Sequence, residues 1–122
     1  MSKITFVRGC RIEPNADLSG ANLDNASLVR ADLQSANMEG ASLASAILRH
    51  ADLRKANLQK ALLWEADLTD ARLQGANLSS AGHTRKVGAI LRTTTWTGAT
   101  YSAETILPDG LDPAAAGMVL TS

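Results

Sequence analysis

The sequence predicts an all-β solenoid, a chain that turns a corner in every five residues around a narrow apolar core. Alanine occupies every fifth position from 16 to 81, fourteen times without a miss. Two residues after each of the first thirteen stands an apolar residue, leucine everywhere except at Met38. A period of five fits neither regular element. On an α-helix each repeat would land about 140° from the last, so the leucines would spiral around the axis and form no stripe. On a strand, alanine and leucine share a face, but the next pair would flip to the other. Both pairs face inward only if the backbone bends within every repeat.

The position between alanine and leucine holds Asp, Asn or Ser in ten of thirteen repeats. The unit Ala-Asp/Asn-Leu-x-x, as in Ala31-Asp32-Leu33-Gln34-Ser35 and Ala66-Asp67-Leu68-Thr69-Asp70, resembles the pentapeptide-repeat family. That resemblance implies a right-handed quadrilateral β-helix, with one repeat on each side of a square coil. The leucines would then stack in four internal columns, each contributing about 2 kcal/mol by its burial. Successive coils would pair their backbones along the axis at about 4.8 Å. Each coil would touch only its neighbours, so stability would accumulate coil by coil.

The repeat fails after Ala81, where His83 takes the leucine place within Gly82-His83-Thr84-Arg85-Lys86-Val87-Gly88. The spacing resumes in a phase shifted by three residues, as Ala89/Leu91, Thr94/Trp96, Ala99/Tyr101 and Glu104/Ile106. The expected organisation is an N-terminal cap over residues 1–15 and a β-helix over 16–108, interrupted by a bulged loop at 81–88. The cap includes a short strand near Ile4-Thr5-Phe6-Val7. Counted by sides, the coil makes about four and a half turns. Residues 109–122 form a C-terminal cap. Pro108-Asp109-Gly110 reads as a turn, and Asp112-Pro113 as the start of a short helix. This tail resembles the endings of pentapeptide-repeat proteins of cyanobacteria.

Composition narrows the function classes. The 12 basic and 12 acidic residues cancel, which leaves no electrostatic footprint for nucleic acid or an anionic membrane. The single cysteine, Cys10, permits no internal disulfide, in keeping with a reducing compartment. No apolar run is long enough for a bilayer. The first residues lack a signal-peptide core, so a cytoplasmic chain is expected. His50 and His83 have no ligand residues at metal spacing, and no Gly-rich phosphate loop appears. No metal, no cofactor and no catalytic site are expected, because a filled tube offers no pocket of convergent polar groups.

Departures from the repeat mark the candidate surface. In a four-sided coil, Leu62 and Trp64 stack above Asn22, Ser42, Asp24 and Ala44 on one side, and Ile47 and Val29 replace polar residues on the next. Val29, Ile47, Leu62, Trp64, His83, Arg85 and Lys86 are therefore the candidate protein-binding residues, with Trp64 as an aromatic anchor. In the alternative arrangement the loop or a terminal cap folds over Leu62 and Trp64. Asn37, Asn57 and Asn77 form a column expected to act structurally, as an amide ladder along the axis. The function expected is a non-enzymatic protein-interaction or scaffold module, monomeric or homodimeric, with a protein partner of unknown identity. The family resemblance also implies a second reading, a modulator of DNA gyrase that imitates DNA. A neutral chain with Arg30, Arg49, Arg54, Lys55, Lys60 and Arg72 on outward positions departs from that pattern.

Overall fold

The computed structural model describes residues 5–121. Residues 1–4 of the expected N-terminal cap, Ile4 of its strand among them, and Ser122 lie outside the described residues.

One local device turns each corner. The Ala21 amide donates to the Leu18 carbonyl at 3.1 Å, and Ala26 to Leu23 and Ala31 to Leu28 repeat the bond at the same distance. The third residue of each such turn takes a left-handed backbone: Asn25 (φ 62°), Arg30 (φ 60°), His50 (φ 58°) and Lys60 (φ 60°) alternate with glycines 20, 40 and 75. That conformation costs an L-residue about 1–2 kcal/mol. The hydrogen bonds of the turn and of the neighbouring coil offset it. A second device explains the acidic or amide residue at the centre of the repeat. Its Oδ1 accepts the backbone amide two residues on, as in Ser19→Asp17 (3.2 Å), Arg54→Asp52 (3.2 Å) and Ser79→Asn77 (3.0 Å). The Asn37, Asn57 and Asn77 oxygens make this same local bond, so they hold their own turns and form no ladder along the axis.

Central residues of equivalent repeats pair in parallel and define four sides. The first runs Asp17–Asn37–Asn57–Asn77–Ile106, the second Asn22–Ser42–Leu62–Gly82, the third Ser27–Ile47–Asp67–Thr95, and the fourth Asp32–Asp52–Arg72–Thr100. Each rung is held by bonds of the kind Asn37 N–H to Ala16 C=O (2.9 Å) and Leu18 N–H to Asn37 C=O (2.7 Å). Leu23, Leu33, Met38, Leu43 and every later leucine of the repeat through Leu78 are wholly enclosed. The N-terminal end is covered by an antiparallel hairpin, β1 (Thr5–Val7) and β2 (Cys10–Ile12), which turns at Arg8-Gly9. Ile12 is buried against the core, with Val7 and Cys10 half-buried beside it.

The interruption differs from the expected bulge. A hairpin of β3 (Thr84–Val87) and β4 (Ile90–Thr93), closed by Gly88-Ala89, projects from the coil. The excursion therefore runs to Thr93 and does not end at 88, and Ala89 and Leu91 are exposed where inward positions were expected. The ladder within the hairpin satisfies backbone groups that a side of the coil would otherwise pair. The coil resumes with buried Thr94 and Trp96, then Ala99 and Tyr101 facing inward. The last expected pair is out of phase by one residue. Ile106 is the outward centre of its rung, paired with Asn77, and Thr105 and Leu107 flank it half-buried. The cause is an extra residue in the preceding corner, where Thr105 N–H bonds Ser102 C=O at 3.0 Å.

No helix forms after Asp112. Its carboxylate caps the Ala115 amide (3.3 Å) as the Asp-Pro signal predicts, but the chain completes a single turn. Gly117, at φ 81°, then reverses the backbone and accepts the Gly98 amide at 2.9 Å. The chain is thereby free to lay β6 (Val119–Leu120) parallel to β5 (Thr100–Tyr101) as a further rung, with Met118 buried beneath. Pairing an otherwise open edge outweighs the helical preference of three alanines.

Candidate functional site

The hairpin is pinned to the tube at its base. Gly82 pairs with the half-buried Leu62 and lies against the indole of Trp64. A Cβ at position 82 would come within 3.1 Å of Trp64 Nε1, so glycine makes room for the ring. Trp64 Nε1–H donates to the Thr84 carbonyl at 3.1 Å, and the Arg85 guanidinium lies 4.8 Å above the ring. Arg92, the cross-strand partner of Arg85, donates to Glu65 at 2.6 Å. Two cations on one face of the hairpin thus grip consecutive residues of the second side. Trp64 is half-buried by this contact. It serves as the footing of the hairpin more than as a bare anchor.

The other candidate residues separate into two places. His83 Nε2 contacts the Asp109 carbonyl at 2.9 Å and its own carbonyl accepts the Thr94 amide at 2.9 Å, so it ties the hairpin base to the C-terminal turn. Val29 and Ile47, 45% and 40% exposed, stand on the third side, one rung apart. Arg49 beside them is held by Asp67 at 2.9 Å. Lys86 is exposed on the hairpin opposite Leu91 and forms no ion pair among the described residues. The largest exposed apolar side chains of this region are ones the sequence reading did not single out: Ile90 at 68% and Leu91 at 63%, with Val87 beside them. The signal was present, since two β-prone runs flank a two-residue link containing glycine. Among the described residues no group of three His, Cys, Asp or Glu side chains is placed to hold a metal ion. Among the described residues no helix is long and apolar enough to cross a membrane.

The hydrogen bond from Arg92 holds the Glu65 carboxyl below its ordinary value of 4.5. A lowered carboxyl pKa means that the pair supports the hairpin fully above the unfolded value and that this support is lost as pH falls through the folded one. Acidification below 4.5 is therefore expected to loosen the hairpin before the tube. The Trp64 Nε1–H resonance should shift on acidification while core resonances hold, and Glu65→Gln should show the shift at neutral pH. An indole signal that moves only with global unfolding would contradict this account of the footing.

A four-sided parallel coil with one polar, self-capped side per five residues, filled by leucine and carrying one projecting hairpin, defines a β-helical repeat module. The pentapeptide repeats family matches residues 15–49 and 46–81 with eight copies. The chain belongs to the pentapeptide-repeat family, and its coil is the right-handed β-helix of that family. It is similar to a pentapeptide repeat protein from Nostoc PCC 7120, at 34% identity and a TM-score of 0.77, covering 88% of this chain and 82% of that one. A pentapeptide repeat protein from the cyanobacterium Cyanothece 51142 is 30% identical, with a TM-score of 0.47, over 77% of this chain and 62% of its own. One from the Arabidopsis thaliana thylakoid lumen is 33% identical, with a TM-score of 0.32, over 76% and 69%. No curated protein matches the sequence.

Proposed function

We propose that the chain is a non-enzymatic protein-interaction module whose contact surface is the hairpin together with the apolar residues of the third side. The observation that carries this reading is the exposure of Val87, Ile90 and Leu91 on the hairpin. The tube spends its apolar side chains on a filled interior, so large apolar groups left in water need another reason. Ile47 and Val29 are two further exposed apolar residues on the third side, the side on which the chain re-enters the coil at Thr95, with Asp67 between Ile47 and that point. Arg85 and Lys86 add positive charge at its edge. The enclosed leucines leave no interior space to shape a catalytic pocket.

A photo-crosslinking residue placed at Ile90 or Ile47, expressed in the source cells, is expected to give the same discrete protein adduct. Placed at Lys60, on the first side, it should give none. Equal adducts from all three positions, or none from any, would remove the reading.

A further inference from the structure

We infer that the outer edge of β4 receives an extended, acidic and apolar segment of another protein as a third strand of the hairpin. This rests on the interaction reading above and specifies how the partner is held. The register fixes which backbone groups point outward. Thr94 N–H bonds His83 C=O, so that pair is hydrogen-bonded. In an antiparallel ladder bonded and non-bonded pairs alternate. Arg85/Arg92 and Val87/Ile90 are then bonded pairs, and Thr84/Thr93 and Lys86/Leu91 direct their N–H and C=O groups away from each other. On β3 the Thr84 carbonyl is already taken by Trp64. On β4, Leu91 and Thr93 present theirs along an open edge, which is a template for strand addition.

The side chains state what the added strand should carry. Ile90 and Leu91, on opposite faces of β4, are the most exposed apolar groups of the hairpin. An adjacent strand with apolar residues on both faces would cover them. Lys86 shares a face with Leu91 and has no carboxylate partner among the described residues. Arg85, stacked on Trp64, brings a further positive charge to the same small sheet, whereas Arg92 is already paired with Glu65. A second copy of the hairpin would set these cations against their own kind, which is destabilising in cross-strand pairs. An acidic strand is complementary instead. A hairpin of two strands is also short of independent stability, and a third strand supplies it.

The test is selection of random ten-residue peptides, displayed as a library, on the intact chain. Enriched peptides are expected to carry apolar residues at adjacent positions, so that both faces of the strand are apolar, and to be net acidic. Leu91→Pro removes one outward N–H without touching a bond inside the hairpin, and should weaken the enriched peptides about tenfold or more. The Trp64 Nε1–H resonance reports that the hairpin stays in place. Lys86→Glu leaves the backbone unchanged and should turn the enrichment toward basic peptides. No enrichment, enrichment without charge preference, or equal binding to Leu91→Pro would overturn the inference. So would a dimer of the chain that sediments as monomer once Leu91→Pro is introduced, since the edge would then belong to a second copy. If peptide selection fails while the Ile47 and Ile90 adducts persist, the edge is wrong and the interaction module stands. If both fail, the module reading falls with it.

Discussion

Replacing Leu53 with alanine is expected to lower the free energy of unfolding by about 3 kcal/mol, within the roughly 2–5 kcal/mol seen when a fully buried leucine is truncated. Leu53 is wholly enclosed, on the fourth side between the rungs that carry Leu33 and Leu73. The cost depends on whether the surroundings can close on the gap, and here they cannot. Its amide bonds Arg72 C=O at 2.8 Å and Leu33 N–H bonds Asp52 C=O at 2.8 Å, so the rungs on either side are held at fixed spacing. A change in a solenoid interior also weakens the coupling between neighbouring coils. Urea denaturation followed by circular dichroism measures the loss, with Val29→Ala as a surface comparison expected within about 0.5 kcal/mol of wild type. A loss below about 1 kcal/mol at Leu53 would mean that the core adapts, contrary to the rigid packing described.

The corner at Lys60 should respond just as sharply, and in a residue-specific direction. Lys60 has φ 60°, and its amide bonds Ser79 C=O at 3.1 Å. Proline cannot adopt that φ and has no N–H, so Lys60→Pro is expected to cost about 3 kcal/mol or more. In a chain of this size that corresponds to a melting temperature lower by roughly 10 °C. Lys60→Gly keeps the bond and relieves the left-handed strain. That gain opposes the greater freedom of glycine in the unfolded chain. The glycine variant should therefore melt within a few degrees of wild type. If the proline variant melts with it, the corner is not the rigid element inferred from the backbone.

The tube was legible because its pattern is local and strictly repeated. Ala66 and Leu68 each do one job, and the same two jobs recur from Ala16 to Leu78, while the Asp67 between them caps its own turn as the other Asp and Asn centres do. The segments that were misread are those in which two local preferences compete and a distant contact decides. Ala114 to Ala116 favour a helix, yet the chain reverses at Gly117 to pair β6 with β5. Leu91 has the spacing of a core residue but belongs to a hairpin that pairs with itself. Ile106 moved outward because one residue was added at a corner, a change that spacing alone cannot place. Trp64 stood out in the sequence as a replacement for a polar residue. The sequence left open whether the loop folds over it, and the closure of Gly82, Thr84 and Arg85 around the ring depends on contacts between distant residues.

The hydrogen bond between His83 and Thr94 joins the point where the chain leaves the coil to the point where it returns. Its rungs continue from Leu62–Gly82 on one side to Asp67–Thr95 on the next as though nothing lay between. The part of the excursion beyond Arg85 and Arg92 is therefore free to vary, while its base stays seated on Trp64 and Glu65. A longer or shorter segment spliced there would cost the scaffold little more than the slowly growing entropy of closing a loop. Diversity in what such a rod recognises can thus accumulate at one opening while the masonry underneath stays unchanged.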